Sequence, residues 1–348
     1  MNHRLHRWSW MQTLVLVFFS SVLMAAQTPQ DIEINDEPGV RDIEYPEWFS
    51  ETFLDLREDL EEAKAAGKTG IIIYFGQKDC AYCEALIKVN FGREKDIVDY
   101  TRKNFYVIAI NIWGSREVTD MDGETLTETE YSEKEKTHLT PTLLFYTEPD
   151  ARPFVLRGYY PPYKFRAALE YVVDGYFKKE TLRDYMARAD PPGKFDVADM
   201  VEESFFESPP YALDRSHFPA EQPLVVFFEQ HDCHACDILH SDPIRDPVVQ
   251  RMLGNFDAVQ LDMWSDTPVV LPDGNKSTAK EWAEKLGIFY APTLVFFDEG
   301  GKEVMRVASV VKLYRLRGIL EYVLKKGYLT SPTYQRWREE QQNSTPAE

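Results

Sequence analysis

The sequence repeats itself, and this repeat constrains the fold more than any other feature does. The stretches QKDCAYC at 77–83 and QHDCHAC at 230–236 are 153 residues apart, and each holds one Cys-x-x-Cys pair. Further along, Pro-Thr-Leu at 141–143 recurs 151 residues later at 292–294. A unit of this length with its own apolar strands is a duplicated domain and not a solenoid repeat.

The two copies predict the same order of secondary structure. In the first copy the apolar patterns predict a helix at 47–66, a buried strand at 71–75, a helical stretch at 83–104 and a buried strand at 105–113. Two short strands at 143–146 and 154–157 and a closing helix at 163–185 follow. The second copy predicts strands at 224–228, 256–263, 294–297 and 303–308, and helices at 236–253, 277–286 and 313–325. Each copy therefore has strands and helices of its own.

The chain divides into six predicted segments. Its length suits two domains, since a single core rarely grows beyond about 250–300 residues. We predict a signal peptide at 1–26, an acidic N-terminal segment at 27–45 and a first domain at 46–188. A linker at 189–222, a second domain at 223–328 and a tail at 329–348 follow. The linker prediction rests on proline clusters at 191–193 and 209–210, and the polar tail is predicted to be loose.

The first 26 residues have the composition of an export signal. Arg4 and Arg7 precede an apolar stretch at 14–24, and small residues at 25–26 suit cleavage. The stretch is short for a membrane span, which needs about 18 or more apolar residues, and an uncleaved anchor is the alternative. We therefore expect export to the periplasm, with no membrane span after cleavage.

The charge of the chain excludes one class of partner. The formal net charge is −19 and no basic patch compensates it, so we expect no binding to nucleic acid. Hydrophobic residues make up 44% of the chain, which favours packed cores over disorder. The acidic composition by itself identifies no partner.

All four cysteines lie in the two pairs, Cys80 with Cys83 and Cys233 with Cys236. In an oxidising compartment such short pairs are typical of redox dithiols or of one metal site. A helix N-terminus favours the thiolate of the first cysteine, so we predict that Cys80 and Cys233 attack a substrate disulfide. Cys83 and Cys236 would resolve the mixed disulfide, and Cys80 is expected to be reachable by solvent. Two inert short-loop disulfides are the alternative.

The order of strand, Cys-x-x-Cys at a helix start, strand, X-Pro, hairpin and helix resembles that of thioredoxins over most of both halves. Within that superfamily the chain resembles SoxW-like periplasmic thioredoxins, in the stretches FLDLREDLEEAKAAGK (53–68), QKDCAYCEAL (77–86), VNFG (89–92), NIWGSREVTDMDGE (111–124), LDMWSDTPVVLPDG (261–274) and YAPTLVFFD (290–298). The resemblance implies an α/β fold of two tandem thioredoxin-like domains, each a central mixed sheet flanked by helices. It also implies a thiol–disulfide oxidoreductase that reduces periplasmic proteins, those of sulfur oxidation among them.

The same resemblance implies the partners and the substrate loop. The partners would be protein thiols or disulfides and a membrane or periplasmic electron donor, with no cofactor, since the protein thiols carry the electrons. Thr140-Pro141 and Ala291-Pro292 resemble the cis-proline loop that offers backbone groups to a substrate. Only about 5–6% of X–Pro bonds are cis, but the matched context in both copies favours cis over an ordinary trans proline.

Several positions depart from the thioredoxin pattern. Thioredoxins keep a buried acid six residues before the first cysteine, where this chain has Tyr74 and Phe227. Asp79 and Asp232 replace the tryptophan that usually precedes the first cysteine. A carboxylate there disfavours the thiolate, while capping of the helix is an equally good role. These changes put the rate and the redox potential in question.

The residues inside each pair differ as well. Tyr82 makes the first dipeptide similar to that of glutaredoxins and periplasmic isomerases, whereas a protonated His234 would stabilise the Cys233 thiolate, or would be only a solvated neighbour. A rival hypothesis is a zinc or copper site in the second copy, formed by His231, Cys233, His234, Cys236 and His240. The first copy has the same framework without these histidines, so we predict no metal. A non-catalytic docking module is the third alternative.

Overall fold

Two four-stranded sheets of the same topology form the framework of the protein. The computed structural model describes residues 33–151, 154–189 and 200–344. The predicted signal peptide and the proline cluster at 191–193 lie outside the described residues. No helix within the described ranges is long and apolar enough to cross a membrane.

The first domain is built on a mixed sheet. Its helices and strands are α1 (Leu56–Ala65), β1 (Gly70–Gly76), α2 (Ala81–Ala85), α3 (Lys95–Asn104), β2 (Phe105–Asn111), β3 (Glu117–Thr119), β4 (Thr125–Thr127), α4 (Glu128–Lys134), β5 (Thr142–Tyr146), β6 (Phe154–Arg157), α5 (Pro162–Val173) and α6 (Leu182–Ala189). The sheet has the order β2-β1-β5-β6, with only β1 and β2 parallel. Every residue of β1 and β5 is buried, as expected for central strands of continuous apolar sequence.

The second domain repeats this order, except that it begins with the short strand β7 where the first begins with helix α1. Its elements are β7 (Tyr211–Ala212), β8 (Leu224–Glu229), α7 (His234–Ser241), α8 (Pro247–Leu253), β9 (Asp257–Asp262), β10 (Pro268–Val270), β11 (Lys276–Thr278), α9 (Ala279–Lys285), β12 (Thr293–Phe297), β13 (Glu303–Val307), α10 (Leu313–Leu324) and α11 (Tyr334–Ser344). The sheet has the order β13-β12-β8-β9, with β8 and β9 parallel. The strands of both sheets therefore agree with the sequence prediction in order and nearly in bounds.

The first helix is shorter than the sequence pattern predicts. Helix α1 begins at Leu56 and not at 47, because the Asp55 side chain accepts a hydrogen bond from the Glu58 amide and caps the helix there. Leu54 has a φ of 64°, and Phe53 is fully exposed. Phe53, which falls inside the helix predicted at 47–66, therefore lies in solvent outside any helix.

Three of the other predicted helices are broken in the structure, those at 83–104, 163–185 and 236–253, whereas the one predicted at 313–325 is continuous as α10. The π-helical segment Leu86–Arg93 separates α2 from α3. Gly175, with a φ of 71°, ends α5 before the chain continues into α6. Pro243 lies between α7 and α8, and Pro247 is the first residue of α8, where their missing amide hydrogens prevent a continuous helix.

Segments assigned to a linker and a loose tail pack onto the second domain. Strand β7 pairs with β10, and Phe206 packs against the second core. The prediction of a loose tail is wrong, since α11 buries Tyr334 and Trp337 in the same core. These two apolar side chains in an otherwise polar stretch are too few to produce a helical pattern in the sequence.

The two domains pack against each other through corresponding residues of the two copies. Tyr159 and Val310 occupy the same position of the repeat, and Val310 N donates to Tyr159 O at 3.2 Å. Gly158 faces its counterpart Ser309 so closely that a β-carbon on Gly158 would lie 2.0 Å from Ser309 Oγ. Contacts between equivalent residues are expected when two copies are related by an approximate twofold rotation.

The last helix of each copy reaches the other domain. Arg183 of α6 lies with its guanidinium carbon 3.9 Å from the centre of the Trp264 ring. The guanidinium carbon of Arg336, in α11, likewise lies 5.0 Å from the centre of the Trp113 ring. Each domain therefore receives a cationic side chain from the other domain, close to the inserted loop that follows its parallel strands.

Candidate active site

Both cysteine pairs lie where a strand ends and a helix begins. Strands β1 and β8 end at Gly76 and Glu229, and helices α2 and α7 begin one residue after the first cysteine. The Sγ atoms of Cys80 and Cys233 each accept a hydrogen bond of 3.1 Å from the amide of the second cysteine of the pair. Each pair is joined as a disulfide. The first cysteine thus caps the helix, where the dipole would stabilise its thiolate after reduction.

The capping role considered for the preceding aspartates is wrong. The cysteines are the caps, while Asp79 and Asp232 have φ values of 56° and 51°, in the left-handed region that aspartate tolerates better than most residues. The Asp79 carboxylate instead accepts a hydrogen bond of 2.6 Å from the Arg41 amide. Asp79 therefore ties the N-terminal segment to the rim of the first site.

The loop opposite each pair has the geometry that the resemblance implies. The Thr140-Pro141 and Ala291-Pro292 peptide bonds are both cis, as predicted, and a third cis bond occurs at Pro209-Pro210. Thr140 O lies 3.7 Å and Thr140 Oγ1 lies 3.4 Å from Cys80 Sγ. The first loop therefore faces its cysteine pair directly.

A glutamine and a tryptophan support each site. Trp113 Nε1 donates to Gln77 Oε1 at 2.8 Å, and Trp264 Nε1 donates to Gln230 Oε1 at 3.0 Å. In the first domain, Gln77 Nε2 also donates to Thr140 Oγ1 at 2.8 Å. Each inserted loop thereby holds the residue three positions before the first cysteine.

The first pair is covered by other parts of the chain. Cys80 is only 6% exposed and Cys83 is fully buried, so the expected solvent access to Cys80 is wrong for the folded chain. The cavity beside Cys80 measures about 30 Å³, roughly the volume of one water in the liquid. We call the residues that close it the cover: residues 34–41, the start of α10 and helix α11, which contribute Asp36, Arg315 and Gln335.

Asp36 connects the parts of the cover. Its carboxylate accepts hydrogen bonds from the Tyr82 hydroxyl at 2.9 Å and from the Arg315 amide at 2.8 Å. The Tyr82 oxygen accepts from the Lys312 amide at 2.8 Å. Burial raises the pKa of Tyr82 far above its usual range, so the hydroxyl stays protonated and donates to Asp36. Tyr82, predicted to tune the first pair, is thus held at the contact between the domains.

Arg315 forms a hydrogen bond with a backbone oxygen of the loop that the resemblance assigns to substrate binding. Its Nη2 donates to Thr140 O at 2.7 Å, and its guanidinium carbon lies 3.3 Å from the centre of the Tyr82 ring. The side chain comes from α10 of the second domain and is buried in the first site. A substrate could not pair with Thr140 O while Arg315 is there.

Helix α11 completes the cover. Gln335 Nε2 donates to His138 O at 3.2 Å, and Gln335 Oε1 accepts from Gln77 Nε2 at 2.9 Å. Tyr334 N donates to His138 Nδ1 at 3.4 Å. Burial, with smaller contributions from nearby cations, lowers the pKa of His138 to about 4. The imidazole is therefore neutral near pH 7 and can accept the bond from α11.

The second pair has different surroundings. Cys233 is partly exposed and Cys236 is buried. In the described part of the chain, a cavity of about 330 Å³ adjoins both cysteines and is lined by Met200, Val201, Glu229, Gln230, Asp232 and Asp237. This volume lies at the low end of the range of about 300–1,000 Å³ found for ligand pockets. His234, predicted to tune this pair, is exposed beside it.

A buried carboxylate and a histidine lie next to the second cavity. Glu229 is 1% exposed, and its carboxylate accepts from Gln260 Nε2 at 2.8 Å and contacts His240 Nε2 at 3.0 Å. His240 Nδ1 lies 3.1 Å from a Glu203 oxygen. Burial disfavours the imidazolium, but the bonds and charges of Glu229 and Glu203 outweigh it and raise the pKa of His240. The sequence marks none of these carboxylates as buried.

The residues of the rival metal site are engaged elsewhere. His240 pairs with two glutamates, and His231 Nε2 lies 3.5 Å from Asp262 Oδ2. Within the described residues, no group of three or more His, Cys, Asp or Glu side chains is arranged to hold a metal ion. The geometry therefore gives the metal hypothesis no support.

Comparison with known proteins agrees with the duplicated fold. A family model described as the thioredoxin-like domain matches residues 56–173 and, separately, residues 218–324. The chain belongs to the thioredoxin-like domain family. The prediction of two tandem thioredoxin-like domains is confirmed, and each of them carries one Cys-x-x-Cys pair.

Solved structures are similar to part of the chain. A thioredoxin-fold protein from Helicobacter pylori is 14% identical, covering 39% of this chain and 87% of its own, with a TM-score of 0.33. A thioredoxin from Thermus thermophilus is 24% identical, covering 30% of this chain and 76% of its own, with a TM-score of 0.25. The DsbH oxidoreductase is 20% identical, covering 42% of this chain and 98% of its own, with a TM-score of 0.25. No curated protein sequence matches the chain.

Arg315 and Asp36 are the residues of the first site that sequence reasoning misses. Lys164 stands 151 residues before Arg315, so a basic residue near the start of both closing helices is the only signal that the sequence offers. Asp36 lies in an acidic segment where nothing distinguishes it from its neighbours. Its role depends on contacts with residues far away in the chain.

Proposed function

We propose that this protein is a periplasmic thiol–disulfide oxidoreductase that uses both cysteine pairs and reduces disulfides in other exported proteins. The observation that carries the proposal is the second site. Cys233 caps helix α7, is partly exposed and, within the described residues, adjoins a cavity of about 330 Å³, and it packs against the cluster that contains Ala291 of the cis-proline loop. A nucleophilic thiolate needs this combination of a helix N-terminus and access.

The proposed reaction moves two electrons from the dithiol to the substrate disulfide. The Cys233 thiolate attacks one substrate sulfur, forms a mixed disulfide and expels the other substrate sulfur as a thiolate, which takes a proton from water. Cys236 then loses its proton and attacks Cys233 Sγ, releasing the second substrate thiol and leaving the Cys233–Cys236 disulfide. A dithiol of the electron donor reduces this disulfide again. In the first domain Cys80 and Cys83 take the same roles once the cover opens.

The narrower proposal is a role like that of SoxW-like thioredoxins. It is supported by the resemblance of the stretches around both pairs, and it makes proteins of periplasmic sulfur oxidation the expected substrates. The electron donor would be a membrane or periplasmic thiol protein. Export itself is tested by the mass of the mature N-terminus and by recovery of the protein in a periplasmic extract.

The experiment is a trap for the mixed disulfide. In cells that express the full chain with Cys80 and Cys83 both changed to Ala, Cys236→Ala should accumulate complexes with substrates, because the second thiol can no longer release them. The matched control is Cys233→Ala, which lacks the attacking thiolate and should trap almost nothing. Periplasmic extracts are acid-quenched, alkylated and separated without reductant, and the bands are identified by mass spectrometry.

The outcome decides between the alternatives. Complexes that appear only with Cys236→Ala support the oxidoreductase. Equal trapping by both variants, or none by either, would contradict it and favour inert disulfides or a docking module. Trapped proteins unrelated to sulfur oxidation would overturn only the narrower proposal.

A further inference from the structure

A buried cation from the second domain lies inside the first cysteine site. Arg315 is 8% exposed, and its guanidinium contacts the Thr140 carbonyl oxygen and the Tyr82 ring. Cys80 Sγ lies 3.7 Å from the same carbonyl oxygen, and Cys80 and Arg315 line one small cavity. The cation and the sulfur are therefore neighbours across one backbone oxygen.

The guanidinium is incompletely satisfied while the pair is oxidised. In the described part of the chain, Arg315 Nη1 is buried and has no hydrogen-bond partner. Most buried polar atoms have a partner, and a buried charge is costly without one. The disulfide carries no charge, so it cannot compensate the cation. Reduction would place an anionic sulfur at Cys80, in the cavity that Arg315 also lines.

The other charged groups of the cavity do not supply the missing hydrogen-bond partner of Arg315 Nη1. The negative charges of Asp36 and Asp79, which also line the cavity, act against a thiolate at Cys80. The Asp36 carboxylate, however, accepts hydrogen bonds from Tyr82 and the Arg315 amide, and the Asp79 carboxylate accepts one from the Arg41 amide. Arg338 lines the same cavity and adds a second positive charge.

We propose that Arg315 is a residue of the first active site supplied by the second domain, and that it stabilises the Cys80 thiolate when the pair is reduced. A dithiol reductant gives two electrons to the Cys80–Cys83 disulfide and becomes a disulfide itself. Of the two protons that the reductant loses, one goes to Cys83 and the other to solvent, and Cys80 remains a thiolate that accepts a hydrogen bond from Arg315 Nη1. The inference rests on the proposed function only in requiring that this pair can be reduced.

The first copy has no arginine at the position that corresponds to Arg315. Lys164 takes the position of Arg315 in the first copy, and its Nζ lies 5.5 Å from the Tyr290 ring centre. Ala235 takes the position of Tyr82 and offers no ring to hold a cation beside Cys233. Opposite charge close to an ionisable group shifts its pKa by about 1–3 units. The first pair should therefore be easier to reduce than it would be without Arg315, by about tenfold or more.

The test uses the full chain with Cys233 and Cys236 both changed to Ser, so that only the first pair titrates. The protein is equilibrated with reduced and oxidised dithiothreitol, acid-quenched and alkylated, and the oxidised fraction is measured by mass spectrometry. The pKa of Cys80 is measured from thiolate absorbance. Arg315→Gln should favour the disulfide by about tenfold and raise the pKa of Cys80 by about one unit or more, and Arg315→Lys should restore part of both.

The matched control is Arg317→Gln, which removes the same charge from the same helix outside the cavity and should change the equilibrium less than twofold. A merely structural role of Arg315 would change how fast reagents reach Cys80 but not its pKa. An unchanged pKa in folded Arg315→Gln would overturn the proposal. If that variant does not fold, a Cys80 pKa at or above the ordinary value of about 8.5 with Arg315 intact would overturn it as well. Failure of substrate trapping leaves these readouts unaffected.

Discussion

The two cysteine pairs share their local geometry and differ in what surrounds them. In both, the first cysteine caps a helix and accepts a 3.1 Å bond from the second cysteine's amide, and a cis-proline loop follows later in the domain. Yet Cys80 has a cavity of about 30 Å³ beside it and Cys233 one of about 330 Å³. Duplication thus preserved the reactive motif and left its access to be set by the surroundings.

The difference arises from a few substituted positions. Helix α11 corresponds to α6, since Thr181 and Thr333 accept the same capping bond at their starts, so both sites receive a crossing helix. Gln335 of α11 reaches Gln77, whereas Arg183, at the matching position of α6, donates to the backbone oxygens of Ile288 and Met263. The pairing of Asp36 with Tyr82 cannot be repeated where Ala235 stands. Within the described residues, a common scaffold therefore gives one covered site and one with a much larger cavity.

The second site has a buried acid that the first cannot accommodate. Glu229 ends strand β8, and Gly76 takes its place at the end of β1. A β-carbon on Gly76 would come within 2.5 Å of the Tyr74 ring, so the tyrosine fills the space of a larger side chain. Tyr74, one of the departures from the thioredoxin pattern, thus requires a glycine at position 76.

The largest expected effect is a difference in the rate of reduction. A protein dithiol should reduce Cys233–Cys236 about 10- to 1,000-fold faster than Cys80–Cys83, because an opened form of the first site is expected at about 0.1–10%. The rates are measured by alkylation and mass spectrometry on two chains, each keeping one pair and carrying Ser in place of the other. Equal rates would show that the cover does not limit access.

A smaller effect is expected from loosening the cover. Asp36→Ala removes the bonds to Tyr82 and to the start of α10, at a cost of about 1–2 kcal/mol, and should speed reduction of the first pair about 5- to 30-fold. The second pair is the internal control and should keep its rate. Glu37→Ala, an exposed neighbour, is the matched control variant. If the reduction rate of the first pair did not change, the interactions that hold the cover closed would lie elsewhere.

The smallest effect is a pH dependence with opposite signs at the two sites. The pKa of His138 is about 4 in the covered form, against an ordinary 6.5, so the cover is most stable above pH 6.5 and weakens as the pH falls toward 4. Hydrogen-exchange protection of α11, corrected for intrinsic rates, should fall by up to roughly tenfold between pH 7.5 and 5.5. His138→Asn should remove this change.

His240 provides the contrast for this measurement. Its pKa is raised, so its contribution to the stability of the second domain is complete below pH 6.5 and is lost as the pH rises through the raised value. Protection of β8 should therefore fall with rising pH, and His240→Gln should remove that trend. The same sign of pH dependence at both sites would contradict the assignment of these histidines.

The sequence predicts the framework because its signals are local. Apolar runs of β-branched residues predict β1 and β8, and repeated context predicts both cis prolines. Helix ends are predicted less well, as α1 shows, because a capping bond from Asp55 outweighs the apolar pattern before it. Local signals fail where one hydrogen bond or one proline decides the geometry.

By itself the sequence determines that the protein is duplicated, that each copy places a Cys-x-x-Cys pair after a buried strand, and that an X-Pro loop follows in each. Only the tertiary structure decides which pair is covered. Asp36 and Arg315, which close the first site, are 279 residues apart, and Gln77 and Gln335 are 258 apart. Such contacts leave no periodic pattern in the chain, because they depend on the packing of whole domains and not on neighbouring residues.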